Sequence, residues 1–129
     1  MEDVQQTPKR ILLVEDDDAL AGVYLTRLQA EGFDVRRVAN GGDALASAMA
    51  YHPDLVLLDV MMPEVSGFDV LDILRNTPET AKLKVVMLTA LSQDSDKLRA
   101  ESLGVNDYLV KSQVVIADVI DRINHQLEI

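Results

Sequence analysis

Cysteine is absent from the 129 residues, which excludes disulfides, thiol nucleophiles and cysteine-based zinc sites. Long apolar runs are absent as well, and none approaches the ~20 residues that a membrane-spanning helix needs. Residues 1–9 are polar and acidic, without the basic and apolar regions of a secretory signal, so they are expected to form a polar tail and the chain to be cytoplasmic. Basic residues are outnumbered: 12 Lys and Arg face 22 Asp and Glu, and a net charge of −10 spread along the chain repels a phosphate backbone. Neither direct nucleic-acid binding nor a membrane is therefore expected. No repeat, linker or low-complexity segment interrupts the chain.

What is present is an ordinary globular composition, 48% apolar and 26% charged, at the length of one domain. Short apolar runs alternate with helical patterns. Strands are expected at Arg10 to Val14, Phe33 to Val38, Leu55 to Leu58, Lys84 to Thr89 and Tyr108 to Val110. The arginines of the second strand suggest a half-wet edge, whereas Leu55 to Leu58 is apolar on both faces. Helices are expected from Asp18 to Gly32, with Leu20, Val23, Tyr24 and Leu28 inward, from about Gly42 to Tyr51, from Asp69 to Arg75, and from Asp94 to Leu103. The last begins near Gln113 and carries Val115, Ile116, Val119, Ile120, Ile123 and Leu127 as one stripe. Strands alternating with helices make βαβ units, hence a doubly wound α/β fold with a five-stranded parallel sheet and helices on both faces. Such sheets carry their sites at the carboxyl ends of the strands.

That edge collects chemistry. Glu15, Asp16 and Asp17 follow the first strand, Asp59 the third, Thr89 ends the fourth, and Lys111 follows the fifth. Carboxylates at that density repel one another and suit a hard divalent cation such as Mg2+. Thr89 and Lys111 are donors, so an anion at Asp59 would meet a metal on one side and a hydroxyl and an ammonium on the other. Nucleophilic attack by a carboxylate on phosphorus is the chemistry this set implies.

The motifs "ILLVEDD", "DLVLLDVMMPEVSG", "VVMLTA" and "YLVKS", in this order and spacing, resemble the receiver domain of bacterial two-component response regulators. The resemblance covers Arg10 to about Leu127, so residues 10–129 are expected to be one receiver domain. It implies the flavodoxin-like strand order 2-1-3-4-5. It implies Asp59 as phosphoacceptor, Asp16 as direct Mg2+ ligand, Glu15 acting through a water, and the Met61 carbonyl completing the metal set. Thr89 and Lys111 would hold the phosphoryl oxygens, and Tyr108 would change rotamer with Thr89 as the switch. The implied function is a phosphorelay receiver, not an enzyme acting on a separate substrate: it catalyses only its own phosphorylation and dephosphorylation. The implied partners are a sensor histidine kinase or phosphotransfer protein, and a downstream protein bound through the face of helix 4, strand 5 and helix 5. A phosphorylation-dependent homodimer would use that same face.

Two positions depart from the family. Glu15 replaces an aspartate, a longer arm that still reaches through water. Ser112 replaces the usual proline after the lysine; a cis bond costs about 0.5–1 kcal/mol before proline but ~3–4 before serine. Placing the Lys111 ammonium is nonetheless expected to hold that bond cis. Met61 and Leu91, two residues after Asp59 and Thr89, border the path of attacking water in the family, and being apolar they predict a long-lived phosphoryl group.

Blander readings exist for each residue. Asp17 or Asp18 is expected simply to cap the first helix. Thr89 and Lys111 alone would be an ordinary strand threonine and a surface lysine, and Tyr108 a half-buried aromatic. His52 and His125 lack metal partners and read as surface residues, which argues against a histidine kinase or a phosphotransfer domain. A haloacid-dehalogenase-type phosphatase also uses an aspartate after a parallel strand, but its second Asp, two positions on, is here Met61. A phosphorylation-independent scaffold would not need Asp59, Thr89 and Lys111 together. The chain stops directly after the fifth helix, so no separate output domain is expected on it.

Overall fold

The computed structural model describes residues 7–129; of the tail expected over 1–9, the first six residues lie outside the described residues. Five parallel strands, β1 (Arg10–Val14), β2 (Asp34–Val38), β3 (Leu55–Leu58), β4 (Lys84–Thr89) and β5 (Asp107–Val110), form one sheet in the order β2-β1-β3-β4-β5. The helices are α1 (Asp18–Ala30), α2 (Ala44–Tyr51), α3 (Gly67–Arg75), α4 (Asp94–Ser102) and α5 (Ile116–Leu127). Fold class and strand order are those expected, with β2 at an edge.

The alternation of strand side chains splits the core in two. Leu12, Val14, Val56, Leu58, Val85 and Met87 face α2 and α3, while Ile11, Leu13, Leu55, Leu57, Val86 and Leu88 face α1 and α5. β3 is buried on both faces because helices cover both.

Several boundaries differ from expectation. Phe33 is buried but lies outside β2. Gly41–Asp43 forms a 3-10 turn before α2, because the Asn40 side chain caps it by accepting from Asp43 N. The third helix starts at Gly67 rather than Asp69, since Ser66 is its cap, accepting from Asp69 N. The last helix starts at Ile116; Lys111–Gln113 is a separate 3-10 turn, and Val115, the helix cap, is 65% exposed instead of joining the stripe. Val23 is likewise 56% exposed. It falls between the buried positions Ala21, Tyr24 and Leu28, which set the inward face of α1. β5 gains Asp107 at its start.

The described residues contain no cis peptide bond, so the cis Lys111–Ser112 bond expected from the family is corrected to trans. Serine offers none of proline's relief of the ~3–4 kcal/mol cis penalty, and the 3-10 turn delivers the lysine to the site without it. No helix among the described residues is long and apolar enough to cross a membrane.

Candidate phosphoacceptor and metal site

Sheet register assembles the site. Val14 pairs with Leu58, and Leu58 with Met87, so β1 and β3 end level and the next residues, Glu15 and Asp59, emerge side by side. Their backbones continue the ladder: Glu15 N donates to Val38 O at 3.1 Å and Asp59 N to Val14 O at 3.0 Å. From Ile11 in β1 and Leu55 in β3 each strand is apolar to its last residue, and an acid follows immediately. Glu15, Asp59 and Thr89 are buried, the first two at 3% and 5% exposure, among very few buried polar residues.

Asp16 stands partly exposed beside them, and Glu15, Asp16 and Asp59 each offer a carboxylate oxygen within 4.8 Å of the others. Lys111 reaches across from β5, its Nζ 3.2 Å from Glu15 Oε1 and 3.5 Å from Asp59 Oδ2. Burial, reinforced by the Asp59 charge, pushes the Glu15 carboxyl up to about 7. Burial alone would lower the Lys111 ammonium, but Asp59 and Glu15 outweigh it and hold the lysine above its usual value. An acid this reluctant to ionise, beside two more carboxylates and one lysine, is the environment that a divalent cation relieves. All the side-chain donors are hard oxygens, which fits Mg2+.

Met61 is 54% exposed, and its backbone N–H donates to Asp59 Oδ1 at 3.2 Å. Thr89 accepts from Leu91 N at 3.2 Å, and Tyr108, buried on β5 beside β4, donates its hydroxyl to Leu91 O at 2.9 Å. Leu91 is thus held at its N–H by Thr89 and at its carbonyl by Tyr108. Asp17 caps α1, accepting from Leu20 N at 3.0 Å, and His52 and His125 are not buried.

Two residues of the site escape sequence reasoning. Gly67 N donates to Val60 O at 2.9 Å, and a Cβ at Gly67 would overlap the Asp59 carbonyl oxygen and Val60 Cα. Only glycine lets α3 start directly against the acidic strand end; the "SG" before an apolar helix is the available signal. Arg37, expected as an edge arginine, bends onto the acidic loop instead.

The family model for the response regulator receiver domain matches residues 11–124. Among characterised relatives, the DNA-binding dual master transcriptional regulator RpaA of Synechocystis is 41% identical over 102 residues, 79% of this chain and 42% of that protein. The phosphate regulon transcriptional regulatory protein PhoB of Rhizobium meliloti is 40% identical over 102 residues, again 79% of this chain and 45% of the relative. The chain thus spans less than half the length of these relatives. Among solved structures, a CheY-like receiver from Methanospirillum hungatei superposes with a TM-score of 0.87 at 26% identity, covering 95% of both chains. The BeF3-activated receiver domain of Klebsiella pneumoniae RstA gives 0.86 at 28% identity, covering 92% of this chain and 98% of that one.

Proposed function

The chain belongs to the response regulator receiver family, a family of signalling domains that receive phosphoryl groups from histidine kinases, and on that premise we propose Asp59 as its phosphoacceptor. The observation that carries the reading is the convergence on Asp59 of two further carboxylates within 4.8 Å and the Lys111 ammonium at 3.5 Å. An Asp59 oxygen attacks phosphorus as the P–N bond of a phosphohistidine breaks, and the imidazole leaves with the bonding electron pair. Lys111 offsets charge on the incoming phosphoryl oxygens, and the Thr89 hydroxyl, at the end of the neighbouring strand β4, turns toward them. Glu15, Asp16, Asp59 and the Met61 carbonyl would hold Mg2+, which when bound neutralises the phosphoryl group's charge. The domain promotes only its own phosphorylation and dephosphorylation.

The response follows the Leu91 backbone. When the Thr89 hydroxyl turns to a phosphoryl oxygen it gives up the Leu91 N–H, and the loop that Tyr108 also holds is free to rearrange into α4. α4 suits that role: it buries only Ala100, against Val119, Ile120 and Ile123 for α5. The face of α4, β5 and α5 is therefore the docking surface for a downstream protein, and for a second phosphorylated copy. Residues 10–129 act as one receiver unit, working in the cytoplasm with a histidine kinase or phosphotransfer protein and making no direct contact with nucleic acid. Incubation with acetyl phosphate and Mg2+ tests the reading: one phosphoryl group on wild type, none on Asp59→Asn, and none after chelation. Labelling of Asp59→Asn at the wild-type level overturns it.

A further inference from the structure

We infer that Arg37, on the edge strand β2, is a positioning residue for the cation site, a role that rests on the reading of Glu15 and Asp16 as metal-binding residues. Its guanidinium makes three contacts with the β1–α1 loop. Nε and Nη2 both donate to the carbonyl oxygen of Glu15, at 2.9 and 2.7 Å, and Nη1 pairs with Asp18 Oδ1 at 2.9 Å. Register places it there: Arg37 pairs with Leu13 and Val38 with Val14, so the Arg37 side chain lies alongside the loop that leaves β1.

The consequence follows from peptide planarity. The Glu15 carbonyl and the Asp16 nitrogen share one rigid plane, so a fork gripping that oxygen fixes the direction in which Asp16 leaves Glu15. Glu15 is then held at every polar atom: its N–H by Val38 O, its carbonyl by Arg37, Oε1 by Lys111 and Oε2 by Asp17 N. Partly exposed Asp16 gains its placement through this neighbour. The run Glu15 to Asp18 is four consecutive acids, whose mutual repulsion would otherwise splay the loop.

Geometry and charge make opposite forecasts for this arginine. As a mere cation near a cation site, Arg37 weakens metal binding, and its removal strengthens it. As a clamp, its removal lets the loop relax and weakens binding, and outer partners of this kind typically contribute about 10–100-fold in affinity. The probe is Mn2+ alone, titrated into the full chain and followed by the relaxation rate of water protons. Arg37→Met is expected to bind Mn2+ about tenfold more weakly, and Arg37→Lys, which loses the fork but can still donate one hydrogen bond to the Glu15 carbonyl, to fall in between. Asp18→Asn is expected to match wild type, because the Asp18 side chain is 90% exposed and serves only the outer contact. Equal or tighter binding by Arg37→Met overturns the inference, as does a lysine variant weaker than the methionine one. If wild type itself fails to bind Mn2+, or Asp16→Ala binds as wild type does, the metal-site reading fails and the clamp with it. Thermal unfolding in chelator establishes that each variant is folded, and the lysine variant carries the test if the methionine one is not.

Discussion

The interior of the sheet and its carboxyl-end rim are built from the same strands and obey opposite rules. Inside, β1, β3 and β4 present Ile11 to Val14, Leu55 to Leu58 and Val85 to Leu88, buried throughout and without a charge. One residue further, Glu15 and Asp59 are as deeply buried and carry carboxylates that repel each other. The interior contributes apolar burial, about 25 cal/mol per Å2 removed from water. The rim draws on that stability, since burying like charges with one lysine between them is unfavourable unless a cation offsets them. A greasy strand ending in an acid is thus a scaffold holding a charge that the charge itself would not support.

The largest expected effect comes from truncating the scaffold. Leu57→Ala, at 1% exposure in β3, is expected to lose about 2–5 kcal/mol through lost burial and the cavity left behind. Phosphorylation by acetyl phosphate should be kept while the variant remains folded. Denaturant unfolding with parallel labelling checks this; a stable protein that no longer labels would break the separation between interior and rim.

Titration of the rim comes next. The Glu15 carboxyl stands at about 7 in the folded chain against 4.5 for an ordinary glutamate. Folded protein therefore binds more protons than unfolded protein between those values, and stability without cations falls as pH rises through that window. The loss is on the order of 3 kcal/mol by about pH 8, each tenfold difference in proton affinity contributing at most ~1.4 kcal/mol. A divalent cation removes the penalty, so Mg2+ should raise the melting temperature more at pH 8 than at pH 5. An equal increment at both pH values would show that Glu15 is not strained by its surroundings.

Smaller, and opposite in sign to the core truncation, is the effect of Asp59→Asn on stability in chelator. Exchanging the central carboxylate for an amide relieves Glu15 and leaves Lys111 paired at 3.2 Å with that glutamate. A gain of roughly 1 kcal/mol is expected. Destabilisation in a chelator would mean that the Lys111–Asp59 contact outweighs the repulsion.

Much of this contrast is legible in the sequence. The apolar runs are short, bounded and separated by helical spacing, so the strand count and the parallel sheet follow. Asp59, Glu15, Asp16, Thr89 and Lys111 are legible because each lies at or just beyond a strand end, where an α/β sheet carries its site. What eludes the pattern is what depends on contacts across the fold. Arg37 carries no local sign that it grips a carbonyl 22 residues away. Val23 and Val115 read as core because they are apolar at nearly helical spacing, yet α1 turns on Ala21, Tyr24 and Leu28, and Val115 precedes its helix. The Lys111–Ser112 bond is trans because the family's cis geometry does not survive loss of the proline that makes it inexpensive.

The last and smallest effect concerns how the rim meets water. The Met61 N–H lies 3.2 Å from Oδ1 of Asp59, the proposed phosphoacceptor, and the Leu91 N–H lies 3.2 Å from Oγ1 of Thr89 on the next strand. Met61 and Leu91 line one open hollow with Val60, Met62 and Phe68, and with Ser66 and Arg99 as its polar members. A mostly apolar hollow thus lies beside the charged rim, where water would approach an aspartyl phosphate formed at Asp59. Neither side chain can orient a water molecule by hydrogen bonding, and both can exclude one from the line of attack. Met61→Asn combined with Leu91→Glu is expected to shorten the phosphoryl lifetime about threefold to tenfold, ~0.7–1.4 kcal/mol of barrier. Decay is followed after removing the phosphodonor, by separating phosphorylated from unphosphorylated protein over time. A double variant that keeps its phosphoryl group as long as wild type would show that the hollow does not shield the site, and that the rim alone sets the lifetime.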